Sequence, residues 1–387
     1  MAKKKNNKKN SKKVLWTIVT VIIFIAAVLW YFGGKPVVEI GAEGVTLVQT
    51  EEPLAAHIPE IISGEYPPEV EYAPEQGVPI DATIAVPERT AVPEPVEGVE
   101  GPKTSSSPEG RSTTGTQGSN PAADKGHSEN DPLYFGNPTD ALADTSLNTN
   151  YLMVKPQFTL SYNTQTLGPN WVAWHLAQEN IGEADRSDDF RPDTELPDGW
   201  YGVKKADYNY NKYGFDRGHV CPSADRTTTK EDNSMTFLMT NMVPQTPDNN
   251  RVIWMHFENF ERELVKAGNE VYIIAGPYGT GGTSPKGTFE NIPITLKSGE
   301  VLYMNVPAYT WKVLIAVPEG TDDLDRIDST ATVIAINVPN QTGMQKTGDW
   351  EQFLCSIDDI EEITGYDFFE LLPDDVEDAL EKVVYNP

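Results

Sequence analysis

A short polar run near the middle of the chain carries residue types that can perform acid–base chemistry on a phosphate. The run is Asp216-Arg217-Gly218-His219. A histidine has an unperturbed pKa of about 6.5, so it can accept a proton from water at neutral pH. An arginine two residues earlier in the same strand-like stretch can hold a phosphate oxygen. This spacing indicates hydrolysis of a phosphate ester.

A second candidate group, Asn250, follows about thirty residues later at the start of a helix-like segment. An asparagine carbonyl is a neutral oxygen ligand that suits Mg²⁺, a hard ion that keeps most of its waters. Trp254 and Glu258 follow at i+4 and i+8, which places Glu258 about 12 Å further along a helix. We therefore expect Glu258 to act through metal-bound water. The neighbouring Asn249 leaves open an exchange of the ligand and cap roles.

The pattern of apolar residues predicts the elements that position these groups. Residues 247–268 are predicted to form a helix that Asp248 or Asn249 caps and Gly268 ends. Its predicted core-facing stripe is Ile253, Phe257, Phe260 and Leu264. The apolar runs 271–275, 311–317 and 333–338 predict buried strands. We predict an α+β domain, a sheet flanked by helices, with the site where a strand, a loop and this helix meet.

Residues 215–276 closely resemble the DNA/RNA non-specific endonucleases of the ββα-metal (His-Me finger) class. The nearest likeness is to secreted cyanobacterial sugar-non-specific nucleases, with Serratia nuclease and mitochondrial endonuclease G more distant. The resemblance extends more loosely over residues 151–384 and includes 170–174, 186–193, 310–313 and 363–368. It implies a nuclease domain with a central antiparallel or mixed sheet flanked by helices.

The resemblance also implies roles for individual residues. His219 would be the general base that takes a proton from the attacking water, with a neighbouring carbonyl or carboxylate fixing its tautomer. Asn250 would be the one protein ligand of Mg²⁺, with Mn²⁺ as the alternative. The other implied site residues are Arg217, Arg186, Asp216, Asn241 and Glu258.

These remaining residues are expected to act in different ways. Arg186 and Arg217 would neutralise developing negative charge, and Asn241 and Asp216 would shape the site around them. Glu258 has an alternative interpretation as a solvated helix residue paired with Arg262 at i+4.

Such a site contacts phosphate and not bases, so DNA and RNA are both expected substrates, with little sequence preference. A membrane-tethered nucleic-acid receptor that binds without cutting is the alternative from another class. A hydrolase of another phosphodiester is the second alternative. The sequence leaves open the biological role, the oligomeric state and the existence of an inhibitor protein.

The charge distribution is unusual for a protein that binds a polyanion. The chain has a net charge of −28. Residues 319–387 alone hold 18 acidic and 3 basic residues, so we expect this segment to face away from substrate. The basic residues that could contact phosphate precede it: Arg186, Arg191, Lys204, Lys205, Lys212, Arg217, Arg226 and Arg251.

The other candidate chemistry is weak. The remaining histidines show no spacing typical of a zinc site, and we assign them no role. The two cysteines, Cys221 and Cys355, would permit a disulfide in an exported protein, but a buried small residue is the favoured interpretation of Cys221.

The chain divides into four predicted parts. Residues 1–13 form a basic cytoplasmic tail with seven lysines, and residues 14–33 contain a nineteen-residue apolar run that predicts a transmembrane signal anchor. Residues 34–135 predict a disordered acidic, Pro-rich stalk, with a short strand between positions 37 and 48. Residues 136–387 form the nuclease domain. We expect a single-pass membrane protein with this domain outside the cell, or a secreted one if the N-terminal segment is cleaved.

Overall fold

Antiparallel strands make up most of the regular structure in the computed structural model, which describes residues 37–41, 44–48, 130–344 and 347–387. The strands are β1 Val37–Gly41, β2 Gly44–Val48, β3 Tyr151–Val154, β4 Thr159–Asn163, β5 Gly168–Leu176, β6 Asp216–His219, β7 Met242–Gln245, β8 Asn269–Tyr278, β9 Gly282–Ser284, β10 Gly287–Phe289, β11 Asn291–Thr295, β12 Val301–Asn305, β13 Tyr309–Pro318, β14 Thr332–Pro339 and β15 Leu354–Cys355.

The helices are short except for one. They are α1 Tyr210–Tyr213, α2 Lys230–Met235, α3 Met255–Lys266, α4 Asp323–Arg326, α5 Ile357–Thr364 and α6 Asp374–Leu380. A π-helical turn, Asn249–Trp254, leads directly into α3. Short 3₁₀ turns occur at Gln178–Asn180, Lys205–Tyr208, Ser223–Asp225, Met239–Asn241 and Trp350–Phe353.

Seven strands form the central sheet in the order β15-β14-β13-β8-β5-β4-β3. Every neighbouring pair is antiparallel. The predicted buried runs 271–275, 311–317 and 333–338 lie in the adjacent strands β8, β13 and β14, which confirms them. The α+β prediction is therefore confirmed, and the sheet is antiparallel.

Both faces of the sheet are covered, so its central strands are apolar on both sides. Leu314 and Ala316 of β13 pack in the cluster that contains the predicted stripe of α3. Val313 and Ile315 point to the other face, where they pack with residues of α5 and α6. Successive side chains of a strand point to opposite faces, which explains the continuous apolar runs. The domain therefore has three layers, with α3 on one face and the C-terminal helices on the other.

A smaller strand pair precedes α3 and carries the polar run. Strand β6 is the tetrapeptide Asp216–His219 itself, and it pairs antiparallel with β7. The loop between them spans residues 220–241 and includes α2. The order of strand, loop, strand and helix agrees with the expected meeting of a strand, a loop and a helix.

The helix that follows β7 starts with a different cap from the predicted one. The backbone N–H of Asn249 donates to Thr246 Oγ1 at 3.3 Å, and Pro247 occupies the first helical position. A threonine cap followed by proline is a favoured helix start, because proline has no N–H to satisfy. The prediction that Asp248 or Asn249 caps this helix is therefore wrong.

The π turn also changes the predicted helix faces. A π turn closes i→i+5 hydrogen bonds and so contains one more residue than an α turn. The spacing of Asn250, Trp254 and Glu258 therefore does not describe one straight α-helical ridge. Trp254 is buried in the core, whereas Asn250 and Glu258 are half-buried.

Several predictions for the N-terminal third lie outside the described residues, namely the basic tail, the anchor at residues 14–33 and most of the stalk. Where a short strand was expected, β1 and β2 form an antiparallel hairpin. Within the described part of the chain, no helix is both long enough and apolar enough to cross a bilayer.

Candidate active site

His219 lies at the end of β6 in an aromatic pocket. Its ring packs against Phe237, with centroids 4.7 Å apart, and against Phe190 at 5.5 Å. The residue is only 6% exposed. This burial lowers the pKa of His219 well below 6.5, and the positive charges of Arg186 and Arg217 lower it further. The imidazole is therefore neutral at pH 7, as a general base must be.

The two ring nitrogens of His219 have different environments. Nε2 is buried and has no hydrogen-bond partner among the described residues. Because Nε2 is buried, Nδ1 is the ring nitrogen that we assign to the attacking water molecule. The sequence predicts a carbonyl or carboxylate that fixes the tautomer. No such group bonds the ring among the described residues, and aromatic packing holds it instead.

The same two aromatic rings hold the two arginines. The guanidinium carbon of Arg217 lies 4.5 Å from the centroid of Phe190, and that of Arg186 lies 4.8 Å from Phe237. Arg217 and His219 are two residues apart on β6, so their side chains leave the strand on the same side. Cation–π contacts and packing therefore place both charges beside the imidazole.

Arg186 is distant in sequence and reaches the site through its own segment, residues 186–193. Its Nη1 donates to Ser223 Oγ at 2.7 Å, and its Nε donates to Asp188 Oδ1 at 2.8 Å. The backbone of Arg191 pairs with the loop that follows β6, accepting from Met239 N at 2.9 Å. These bonds fix the segment against the β6–β7 module.

Asn250 is held at the other end of β6. Its Nδ2 donates to Asp216 Oδ2 at 3.1 Å. Asp216 is itself fixed by Arg251, whose Nε and Nη2 donate to Oδ2 at 2.8 Å and to Oδ1 at 2.6 Å. With its amide nitrogen anchored, Asn250 presents its carbonyl oxygen, which accepts no hydrogen bond from a described residue.

The structure separates the two neighbouring asparagines. Asn249 is fully buried, and its Nδ2 donates to Thr310 Oγ1 of β13 at 2.8 Å. It therefore ties the helix to the sheet and is not available to a metal. Asn250 is the asparagine of the pair that can act as a ligand.

Glu258 has no hydrogen bond or ion pair with any described residue. Burial raises its pKa to about 8, and Lys312 and Arg262 only partly oppose this effect. Arg262 does not pair with Glu258 at i+4, because its Nη1 donates to the buried Asp225 at 2.8 Å. The alternative interpretation of Glu258 as one half of a surface ion pair is therefore wrong.

A buried charge network lies behind Glu258. The Lys312 ammonium pairs with Glu261 at 3.0 Å, and both side chains are fully buried. It also lies 4.5 Å from the ring centroid of Trp254. Trp254 therefore packs in the core and is not exposed for base stacking.

Asn241 and Gly218 shape the backbone around His219. Asn241 is fully buried, accepts from Cys221 N at 2.9 Å, and donates to Cys221 O at 2.8 Å. A Cβ atom on Gly218 would lie 1.8 Å from Gln245 Oε1. A side chain at the strand position before His219 would therefore have to displace the buried Gln245.

These side chains fit a hard divalent cation. Asn250 offers a neutral carbonyl oxygen, and Glu258 is a carboxylate that forms no ion pair with a described residue and has a raised pKa. Asparagine and glutamate oxygens are ligands that Mg²⁺ accepts while it keeps several waters. Asn250 could hold the cation directly, with Glu258 as a second oxygen group.

Two of the basic residues that were predicted to contact phosphate are bonded to other groups of the protein. Arg226 is buried, and its guanidinium donates to the backbone carbonyls of Gln157, Asp225 and His175. Arg251 is paired with Asp216. Lys205 remains exposed, with its ammonium 5.5 Å from the centroid of Phe190. Lys205 therefore extends the positive surface beside Arg217.

The two cysteines are free thiols. Cys221 is buried in the cluster beneath α3, and burial raises its pKa. Cys355 packs on the opposite face of the sheet, and its pKa is raised to about 12. The interpretation of Cys221 as a buried small residue agrees with this packing.

Sequence reasoning missed the residues that support the site from behind. These are Phe190, Phe237, Asp225, Gln245 and the role of Arg251 as partner of Asp216. The aromatic residues resemble ordinary core residues in the sequence, and only the contacts with His219 distinguish them.

A buried neutral imidazole flanked by two guanidinium groups, on a strand that also orients an amide oxygen, is an arrangement suited to phosphodiester hydrolysis. A family model for DNA/RNA non-specific endonuclease matches residues 137–375. The chain belongs to this family and is an endonuclease, an enzyme that hydrolyses phosphodiester bonds. This membership favours the enzyme over the non-cleaving receptor.

Two relatives, compared by sequence, agree with this assignment. The chain is 43% identical over 254 residues to a nuclease from Nostoc sp. (strain PCC 7120), a match that covers 66% of this chain and 86% of that protein. It is 31% identical over 218 residues to the mitochondrial nuclease EXOG of Mus musculus, covering 55% of each chain, so the match spans about half of that protein. A crystal structure of the EndoG/EndoGI complex is similar with a TM-score of 0.47 and 22% identity, covering 62% of this chain and 91% of that one.

Proposed function

We propose that this endonuclease cleaves both DNA and RNA with little sequence preference, uses Mg²⁺, and acts from the outer face of a membrane. The observation that carries the catalytic part is the neutral, solvent-shielded imidazole of His219 between the rings that hold Arg186 and Arg217. The described charged groups of this site suit a phosphate, which DNA and RNA share.

His219 takes a proton from the water molecule that attacks phosphorus, and Nδ1 is the atom that accepts it. Arg186 and Arg217 hold the nonbridging phosphate oxygens as their negative charge grows, and the bond to the 3′ oxygen breaks. A divalent cation held by Asn250, with Glu258 contributing through water, would neutralise charge on the phosphate and on the leaving oxygen. Asp216 and Asn241 act as positioning residues. Asp216 orients the Asn250 amide, and Asn241 fixes the backbone of Cys221, two residues after His219.

The first experiment is cleavage of circular plasmid DNA and of an unstructured RNA by the purified protein, with Mg²⁺ and with EDTA. His219→Ala should reduce the rate on both substrates by about 10²–10⁴, the usual contribution of a general base. His256→Ala is the matched control, because His256 lies on the same helix as Asn250 but outside the aromatic pocket. Cleavage in EDTA would contradict the metal-dependent mechanism, and cleavage of DNA alone would contradict the shared substrate class.

The membrane location is supported by the sequence alone. An apolar run of nineteen residues preceded by seven lysines suits a signal anchor with its N-terminus inside. Fractionation of cells and protease treatment of intact cells test this proposal. The full chain should stay with membranes and lose its nuclease domain to external protease, whereas a chain without residues 14–33 should not be exported.

A further inference from the structure

The C-terminal helices bring five carboxylates together on the sheet face opposite α3. Ligand oxygens of Asp358, Glu361 and Glu381 lie within 4.8 Å of one another, as do those of Asp367, Glu377 and Glu381. The two sets share Glu381, which directly follows α6. The backbone carbonyl of Glu381 accepts from the N–H groups of residues 357 and 358 at 3.0 and 3.1 Å, so the end of α6 is fixed against the start of α5.

Glu381 is the residue in this cluster that requires an explanation. It is only 7% exposed, and its buried Oε1 has no hydrogen-bond partner in the described part of the chain. Oε1 of Glu377 is buried and unpartnered in the same way. Proteins rarely leave such acceptors unsatisfied, and a buried carboxylate is normally paired or bound to a metal.

No lysine, arginine or histidine of the described residues forms an ion pair with these five carboxylates. Burial, together with the fields of Glu361, Glu377 and Asp358, raises the pKa of Glu381 to about 9. Burial and neighbouring carboxylates likewise raise the pKa of Glu377 to about 7. The adjacent Lys382 pairs with the exposed Asp378 instead. The Glu361 and Glu381 carboxylates lie close together, and the buried Oε1 atoms of Glu377 and Glu381 have no hydrogen-bond partner among the described residues.

We propose that Glu381 is the centre of a structural Ca²⁺ site, separate from the active site and independent of the function proposed above. Ca²⁺ accepts six to eight oxygen ligands in flexible geometry, and carboxylates are its usual protein ligands. Mg²⁺ demands near-ideal octahedral geometry, and Zn²⁺ prefers nitrogen and sulfur ligands. The ion would join α5, the segment that carries Asp367, and α6, which together cover one face of the sheet.

The test uses the full chain carrying Asn250→Ala, so that the candidate catalytic ligand is absent. The melting temperature of this protein should be higher in Ca²⁺ than in EDTA. Calorimetric titration should give one bound ion per chain. Adding Glu381→Gln should abolish the increase with Ca²⁺, because it removes the carboxylate that the two ligand sets share. Adding Glu362→Gln is the matched control. Glu362 lies on α5 but in neither ligand set, and the response to Ca²⁺ should remain.

Three outcomes would overturn the proposal. The first is an equal response to Ca²⁺ in the Glu381→Gln protein. The second is a stronger response to Mg²⁺ than to Ca²⁺. The third is stabilisation by mild acid without any response to Ca²⁺, which would show that a shared proton alone satisfies the cluster.

Discussion

His219 owes its protonation state to three separate parts of the chain. Phe190 and Arg186 come from one segment, Arg217 from its own strand, and Phe237 from the loop after it. Burial and the two positive charges both favour the neutral imidazole. The residue type therefore supplies a base, and the surroundings determine the pH range in which it works.

The first prediction concerns pH. Catalysis requires the neutral form of His219. Activity is therefore present above the pKa of His219 and is lost as the pH falls through this pKa. The acid limb of kcat/KM should therefore lie below pH 6.5, because the pKa is lowered from that value. Arg186→Gln removes a positive charge and should move the limb to higher pH, in addition to lowering the rate. Arg191→Gln is the control, since Arg191 pairs with Asp189. A limb that shifts equally in both variants would contradict this account.

The second prediction concerns the partner of Asn250. Asp216→Ala releases the amide that it orients, and it should raise the Mg²⁺ concentration for half-maximal rate by about 10–100-fold, the usual effect of losing such a partner. Combined with Asn250→Ala, it should add little, because both changes remove the same interaction. Asp189→Ala removes an exposed carboxylate elsewhere and should leave the metal requirement unchanged. The measurement is the cleavage rate as a function of Mg²⁺ concentration. Additive effects of the two changes would show that Asp216 and Asn250 act independently.

At the scale of elements, strand β6 organises the site because the residues at both of its ends contribute to it. Asp216 at its start holds Asn250, and His219 at its end enters the aromatic pocket. Gly218 lets Gln245 of β7 lie directly against the strand between them. Pairing with β7 then connects this strand to the helix start, where Thr246 and Pro247 replace the expected cap.

The third prediction tests that close approach. Gly218→Ala places a Cβ against Gln245 and should lower the free energy of unfolding by about 1–3 kcal/mol, as overpacking does, with a loss of activity. Gly168→Ala is the control, because its nearest neighbour is 3.8 Å away and its backbone is unstrained. Denaturant unfolding and plasmid cleavage are the measurements. The double change Gly218→Ala with Gln245→Ala should recover stability, and a failure to recover would contradict the steric explanation.

At the scale of the whole molecule, the sheet separates two surfaces of different charge. The arginines and Lys205 lie at the site module, whereas α5 and α6 carry the acidic segment on the face opposite α3. A chain with a net charge of −28 can therefore present a local positive site to a polyanion. The expectation that residues 319–387 face away from substrate stays a prediction.

The fourth prediction is the salt dependence. Binding should weaken as salt rises, because each phosphate contact releases counterions. Lys205→Gln should reduce the slope of log affinity against log salt by about one, the effect of losing one phosphate contact. Lys382→Gln, a change of equal charge beside α6, should leave the slope unchanged. Equal effects of the two changes in a DNA-binding titration with EDTA would mean that net charge and not local position governs binding.

Much of the architecture was predictable because it depends on local periodicity. The apolar runs of β8, β13 and β14 and the core stripe of α3 follow directly from side-chain spacing. Helix boundaries were nearly right, but the π turn was not predictable. Such a turn depends on how the helix start is held by β6 and β13, and neither contact is local in sequence.

The sequence by itself determined the reactive groups: the polar strand with His219, the helix with Asn250, and the family to which both belong. Only the tertiary structure decided which neighbours those groups have. Asn249 bonds to the sheet while the carbonyl oxygen of Asn250 stays available, and the Arg226 guanidinium donates to backbone carbonyls. Arg262 pairs with Asp225 and not with Glu258. The physical reason is that residue type limits what a side chain can do. Burial, charge and hydrogen bonding from distant segments select which of these roles it performs.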